Sequence, residues 1–241
     1  MVIFSDSELS NLYESSSYVQ IARYISQGKI QVPLYMSSYT WGERDLLNYL
    51  EYLQSGVQKM SILLACTKIR IPSKRFPREI PEKPGRASTP FVKDVRYVLD
   101  GYHCLQSLYL AWYGFYMGKR VYFKINALNN EDRFYLLKSS KHIPNIYKRL
   151  SDIKSSTNLS GSYIFDQMRE NISDFHANFK NFIRCTVNVI YFDESHPNER
   201  TLRILDQMPD KRIIADRIRR FKVELMRASP QQEPKNGPTP P

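Results

Sequence analysis

The spacing of apolar side chains changes within residues 95–113. Over the first part they recur at every second position, at Val95, Tyr97 and Leu99, which predicts a short strand. From Leu105 onward they recur three or four residues apart, which predicts a buried helix. The pattern therefore indicates a strand that is followed directly by a helix, and we expect the strand to pair near residues 30–32.

Asp100 and Gly101 lie at the junction of this strand and helix. An aspartate at such a position can accept hydrogen bonds from the first N–H groups of the helix, and a glycine allows a tight turn. The first turn of a helix also presents the positive end of its dipole. The junction is therefore a candidate site for a phosphate group.

The same periodicities predict an α+β fold over the rest of the chain. Helices are predicted within residues 1–30, with Ser5 or Asp6 as the cap, and at 41–53, 146–153, 165–182 and 211–227. Strands are predicted at residues 29–32, 60–65, 95–99, 120–125 and 186–192.

Residues 68–90 have a different composition. They contain five prolines, which exclude a regular helix, and seven basic against two acidic side chains, a net charge of +5. We predict an exposed, mobile surface loop here.

The predicted helix at residues 211–227 also carries a net charge of +5, so the two basic stretches account for ten of the eleven net positive charges of the chain. Surface cations are often no more than solvated, but this clustering favours a polyanion such as DNA. The predicted DNA-contacting residues are Lys74, Arg75, Arg78, Arg86, Arg217, Arg219 and Arg220.

The composition is that of a globular protein. The chain has 241 residues, of which 42% are hydrophobic, enough for one domain over residues 1–228. The Pro-rich residues 229–241 are expected to be disordered. The three cysteines form no metal pattern, and an odd count favours a reducing compartment. No apolar run is long enough for a signal peptide or a membrane span, so we expect a cytoplasmic protein without membrane contact.

Two stretches carry a resemblance to a known family. Residues 98–108 are Val-Leu-Asp-Gly-Tyr-His-Cys-Leu-Gln-Ser-Leu, and residues 32–41 are Val-Pro-Leu-Tyr-Met-Ser-Ser-Tyr-Thr-Trp. They resemble the Asp-Gly-Gln-Gln-Arg-Leu-Thr-Thr-Leu and Ile-Pro-x-Tyr-Gln-Arg-Pro-Tyr-x-Trp boxes of GmrSD-type restriction endonuclease N-terminal domains. The resemblance implies a ParB/sulfiredoxin-like α+β fold, a small sheet with the strand-turn-helix motif and added C-terminal helices.

The resemblance also implies that the two boxes handle a nucleotide, a nucleoside triphosphate with Mg²⁺ being the candidate cofactor. The nucleotide-binding positions that it implies are Ser37, Asp100, Gly101, Tyr102 and His103. Asp100 and His103 are the candidates for a catalytic role. We predict no metal site formed by histidine and cysteine side chains.

The chain departs from the family pattern at the polar positions. Met36-Ser37-Ser38 replaces Gln-Arg-Pro, and Tyr102-His103-Cys104 replaces Gln-Gln-Arg. Neither box holds an arginine or lysine that could neutralise developing phosphate charge. A Phe-x-x-x-Asn-x-Gly-Gly box of the family also has no counterpart in residues 202–210. The sequence thus predicts a degenerate, catalytically inactive member.

Three hypotheses follow. The first is a DNA-associated binding module with a link to restriction or genome defence. The second is an active nucleotide-hydrolysing subunit of a restriction system. The third is a module that binds a partner protein and neither nucleotide nor DNA.

Overall fold

The computed structural model describes residues 17–55, 61–81, 95–128, 131–138, 142–153, 162–180, 186–193, 196–197 and 211–228. Several predictions concern residues outside these ranges. They are the caps Ser5 and Asp6, the DNA-contacting Arg86, the family box at 202–210 and the tail at 229–241.

The described residues form a mixed α+β fold. The helices are α1 (Tyr18–Ser26), α2 (Glu43–Gln54), α3 (Tyr102–Tyr113), α4 (Tyr163–Phe175) and α5 (Lys211–Ala228). The strands are β1 (Ile30–Pro33), β2 (Ser61–Thr67), β3 (Ser73–Lys74), β4 (Glu79–Ile80), β5 (Arg96–Asp100), β6 (Phe115–Tyr116), β7 (Lys119–Lys124), β8 (Phe134–Lys138), β9 (Tyr147–Arg149), β10 (Thr186–Asp193) and β11 (His196–Pro197). A π-helical turn at His176–Lys180 continues α4.

The larger sheet has the strand order β11-β10-β2-β5-β1-β3. Strand β5 runs parallel to β1, with Ile30 opposite Arg96 and Gln31 opposite Tyr97. This pairing confirms the predicted strand and its position beside residues 30–32. On its other side β5 is antiparallel to β2, which in turn is parallel to β10.

The larger sheet separates two hydrophobic clusters. Val98 of β5 faces the first cluster, which contains α1, α2, α3 and the turn after α4. Tyr97 and Leu99 face the second cluster, which contains the buried side chains of α5. Because both faces of β5 are covered, its alternating side chains are all buried up to Leu99.

The smaller sheet has the order β4-β6-β7-β8, and β9 pairs with β7. Phe123 of β7 and Phe134 of β8 pack edge-to-face, with ring centroids 5.3 Å apart. Both rings join Phe175 and Phe179 in the first cluster, so α4 and its π-helical turn close this side of the core.

The prediction of a helix at residues 146–153 is wrong. Tyr147–Arg149 forms strand β9, and a short 3-10 turn follows at Leu150–Asp152. Leu150 and Ile153 are buried, as their spacing predicted, but Tyr147 to Arg149 pair with the edge of β7 instead of continuing a helix.

The prediction of an exposed loop at residues 68–90 is wrong for part of the stretch. Strands β3 and β4 lie within it, and Ile71 and Phe76 are buried. The Phe76 ring packs 5.6 Å from the ring of Tyr102 and 6.4 Å from that of Tyr109. The described part of this stretch is therefore anchored to α3.

Among the described residues, no helix is both long enough and apolar enough to cross a membrane.

The burial of Phe76 generates a stability prediction. Phe76→Ala should lower the free energy of unfolding by about 3 kcal/mol, because it leaves a cavity against α3. Lys68→Ala changes an exposed side chain of the same stretch and should stay within about 0.5 kcal/mol of the parent. Urea unfolding of both variants measures the difference, and equal values would show that the stretch does not anchor the core.

Candidate functional site at the carboxyl ends of two parallel strands

The carboxyl ends of β1 and β5 lie at the same edge of the larger sheet, because the two strands are parallel neighbours. Residues 34–42 follow β1, and Gly101 and α3 follow β5. The two sequence boxes therefore meet at this edge, in the position where open sheets commonly bind ligands.

Gly101 makes the turn between β5 and α3. Its φ of 81° lies in the left-handed region, and it is the N-cap residue of α3. A residue with a Cβ would be strained in this conformation, which is why the tight turn requires glycine. The predicted turn is confirmed.

Asp100 does not cap α3, contrary to the prediction. The N-cap residue is Gly101, which has no side chain to make a capping hydrogen bond. The Asp100 carboxylate instead forms an ion pair with Arg217 of α5. The same Nη1 group of Arg217 donates to the Leu99 carbonyl at 3.1 Å.

Arg217 is thus a site residue that the sequence analysis assigned to a DNA-contacting face. Its side chain is 31% exposed and that of Asp100 is 40% exposed, so the pair is only partly shielded from water. A signal for its position was present in the sequence. Arg217 follows Ile214 by three residues and precedes Phe221 by four, which places it beside the buried stripe of α5.

His103 occupies an aromatic cage formed by the other box. Its ring stacks on Tyr39 with centroids 5.5 Å apart, and Trp41 lies at the same distance. The Thr40 backbone N–H donates to His103 Nε2 at 3.2 Å, and the Thr40 hydroxyl lies 2.9 Å from the same nitrogen. Because a backbone N–H must donate, Nε2 is an acceptor and carries no proton.

The surroundings of His103 favour its neutral form. Burial lowers the pKa of its imidazole below the ordinary value of 6.5, and the positive charge of Arg217 lowers it further. His103 therefore positions the segment around Thr40, and Nε2 is not free to donate a proton to a phosphate.

The other residues of the second box are structural. Tyr102 is buried and packs against Phe76. The Ser107 hydroxyl and the Tyr39 hydroxyl share a hydrogen bond of 2.8 Å, which ties α3 to the first box. Burial raises the pKa of the Cys104 thiol, so this cysteine is not an activated nucleophile.

A groove of about 420 Å³ lies between the first box and α5. It is lined by three arginines, one aspartate and four further residues: Arg212, Arg217, Arg220, Asp216, Tyr35, Met36, Ser37 and Ile213. Of the nucleotide-binding positions that the resemblance implies, Ser37 lines this groove, whereas Asp100 lies beside it through its ion pair with Arg217.

Hydrogen bonds and an ion pair hold the residues of the groove walls in place. The Tyr35 hydroxyl donates to the backbone carbonyl of Arg217 at 3.4 Å, and burial raises the pKa of this phenol. Arg220 Nε donates to Asp216 at 2.9 Å within α5. Arg212 has no ion-pair partner among the described residues.

The predicted DNA-contacting residues do not form one surface. Arg219 and Arg220 are exposed on α5, on the side of the second cluster. Arg78 donates to the Tyr113 carbonyl at 3.1 Å, on the side of the first cluster. Burial raises the pKa of Tyr109, and the nearby charges of Arg78 and Arg75 oppose this rise.

Lys74 lies on the short edge strand β3. It lies directly opposite Val32, whose side chain belongs to the first cluster, so Lys74 is on the face of the sheet opposite α5.

The described residues do not fit a Mg²⁺ ion at this site. Mg²⁺ prefers carboxylate oxygens, but Asp100 and Asp216 are both paired with arginines. In the described part of the chain no group of three or more acidic, histidine or cysteine side chains could hold a metal.

No protein-family model matches the chain, and a search of curated proteins finds no match.

The neutral state of His103 generates a pH prediction. Its folded pKa is below the unfolded value of 6.5, so the unfolded chain binds the proton more readily. The free energy of unfolding should fall as the pH drops below about 6.5. His103→Gln should flatten this fall, whereas His142→Gln at an exposed position should keep it. Thermal melts across this range decide, and an unchanged slope in His103→Gln would contradict the assignment.

The Asp100–Arg217 pair generates a second prediction. A double-mutant cycle with Asp100→Asn and Arg217→Gln should give a coupling free energy of about 1 kcal/mol, at the upper end of values for partly exposed pairs. The control is the exposed pair of Arg227 and Glu224 on the same helix, with an expected coupling of about 0.3 kcal/mol. Equal couplings in urea unfolding would show that the first pair does not hold α5 to the sheet.

Proposed function

We propose that the chain is a DNA-associated binding module that acts through the outer side of α5 and does not catalyse a reaction. The observation that carries this proposal is a cationic helix seated firmly on the sheet. Arg212, Arg219 and Arg220 are exposed on α5. A polyanion is the partner that such a row of guanidinium groups favours, because each neutralised phosphate releases a counterion.

The packing of α5 against the sheet supports this function. Ile214, Ile218, Phe221 and Leu225 are buried on its inner side, against residues of β5 and β10. The Phe221 ring lies 4.9 Å from that of Phe192 and 5.8 Å from that of Tyr97. A helix held in this way presents its outer cations in a fixed arrangement, which lowers the entropy cost of binding.

Both candidate catalytic side chains already have partners within the protein, which favours a binding function over hydrolysis. Asp100 is paired with Arg217, and His103 Nε2 accepts from Thr40. A general base needs a free acceptor within reach of the proton that it removes. Neither box holds an arginine or lysine, but α5 supplies Arg217 beside Asp100.

DNA is the polyanion that the resemblance to GmrSD-type domains favours, and a link to restriction is part of this proposal. The DNA contact that we propose involves fewer residues than the sequence analysis predicted. Arg78 donates to the Tyr113 carbonyl at the end of α3, and the charge of Arg75 acts on Tyr109 of the same helix, on the other side of the sheet from α5. We therefore assign the contact to α5 alone.

A salt titration tests the proposal. If about three phosphates are neutralised by α5, log K for a duplex should fall against log salt with a slope of roughly −3. Arg219→Gln with Arg220→Gln should flatten the slope by about 2 and weaken binding to all sequences alike. Fluorescence anisotropy with two unrelated duplexes gives both quantities.

The control is Lys138→Gln with Arg169→Gln, which removes two cations from β8 and α4. This variant should keep the parent slope. Binding that ignores salt, or an equal loss in both double variants, would contradict the assignment to α5. The protein-interaction hypothesis would then lead.

A further inference from the structure

We infer that the groove between the first box and α5 holds a phosphomonoester, and that its source is the terminal phosphate of a nucleic-acid strand. The inference rests on the proposed DNA contact of α5 and deepens it. It concerns the end of the strand, which Arg212 and Arg220 contact in the groove, whereas Arg219 contacts the continuous backbone.

The size of the groove suits one nucleotide unit. Its volume of about 420 Å³ lies within the range of about 300–1,000 Å³ typical of small-ligand sites. Such a groove cannot admit a duplex, so a single nucleotide unit, such as the terminus of a strand, is the part of a nucleic acid that can enter it.

The charge of the groove attracts a terminal phosphate. Three arginines and one aspartate line it, and the Asp100 carboxylate lies beside it on Arg217, a formal charge of +1. A phosphomonoester carries about −1.5 to −2 at neutral pH, whereas a phosphodiester within a strand carries about −1. A positive groove therefore attracts the end of a strand more strongly than its interior.

The donors of the groove are already oriented. The Arg217 guanidinium is held by Asp100 and by the Leu99 carbonyl, and Arg220 is held by Asp216. The Ser37 hydroxyl adds a neutral donor on the opposite wall. Arginine suits this task because its planar fork can donate two parallel hydrogen bonds to phosphate oxygens.

The groove and the proposed backbone contact share α5. Arg212, Asp216 and Arg220 follow one another at intervals of four residues and line the groove. Arg219 is 78% exposed and does not line it. A strand that contacts Arg219 can therefore place its terminus against Arg212 and Arg220.

The test compares single-stranded oligonucleotides of one sequence with a 5′-phosphate, a 3′-phosphate or hydroxyl ends. Fluorescence anisotropy should show about tenfold tighter binding for at least one phosphorylated form. Arg212→Gln should abolish this preference. Arg219→Gln is the matched control, which should weaken every form and keep the preference.

A second arm uses adenosine 5′-monophosphate and adenosine in calorimetric titrations. Saturable binding of the monophosphate that Arg212→Gln abolishes and Arg219→Gln retains would support the groove independently of any oligonucleotide. Near-native melting of the variants confirms that they fold.

The outcomes separate the inference from the proposed function. Salt-dependent binding of all oligonucleotides without a phosphate preference would overturn the inference and leave the α5 contact intact. Binding of the monophosphate without binding of oligonucleotides would overturn the strand end as the source, together with the DNA-binding proposal. Binding of neither would overturn both.

Discussion

The structure depends on the left-handed turn at Gly101. Strand β5 is hydrogen-bonded on both edges and buried on both faces, so the chain can leave the sheet only where the strand ends. A φ of 81° at Gly101 lets α3 begin in the next residue and return over the sheet. This turn sets the positions of His103 and Ser107, which in turn hold the first box through Thr40 and Tyr39. A side chain with a Cβ at position 101 would strain this turn and disturb the contacts between the two boxes.

Helix α5 covers the opposite face of the sheet, and two kinds of interaction hold it there. The buried stripe from Ile214 to Leu225 supplies most of the attraction, because apolar area removed from water dominates such contacts. The Asp100–Arg217 pair is partly exposed and adds less to stability. Its directional contacts, including the bond to the Leu99 carbonyl, fix the rotation and register of the helix on the strand. The partly exposed pair therefore specifies which cations of α5 face the groove and which face outward.

The sequence predicted those elements whose pattern is local. The strand-turn-helix unit at residues 95–113 and helix α5 follow from spacing alone, because both have apolar stripes of clear period. In residues 146–153, Ile146, Leu150 and Ile153 are spaced as in a helix. Residues 147–149 form a strand instead, because they pair with β7, which lies some 25 residues earlier in the chain. Phe76 was assigned to a loop because the prolines around it exclude regular structure without excluding burial. The partner of Asp100 is 117 positions away, so no local pattern joins the two residues.

The site combines fixed arginines with a carboxylate and an imidazole that are already engaged. This balance limits its chemistry. Water attack on a phosphate needs an acceptor for the proton of the nucleophile, and both nearby candidates have protein partners. Stable binding of an anion needs oriented donors and positive charge, and α5 provides both. The two boxes hold no arginine or lysine, and a separate helix supplies the positive charge at this edge of the sheet. Because Arg217 contacts Asp100 and also lines the groove, the ion pair that holds α5 on the strand also orients one donor of the groove.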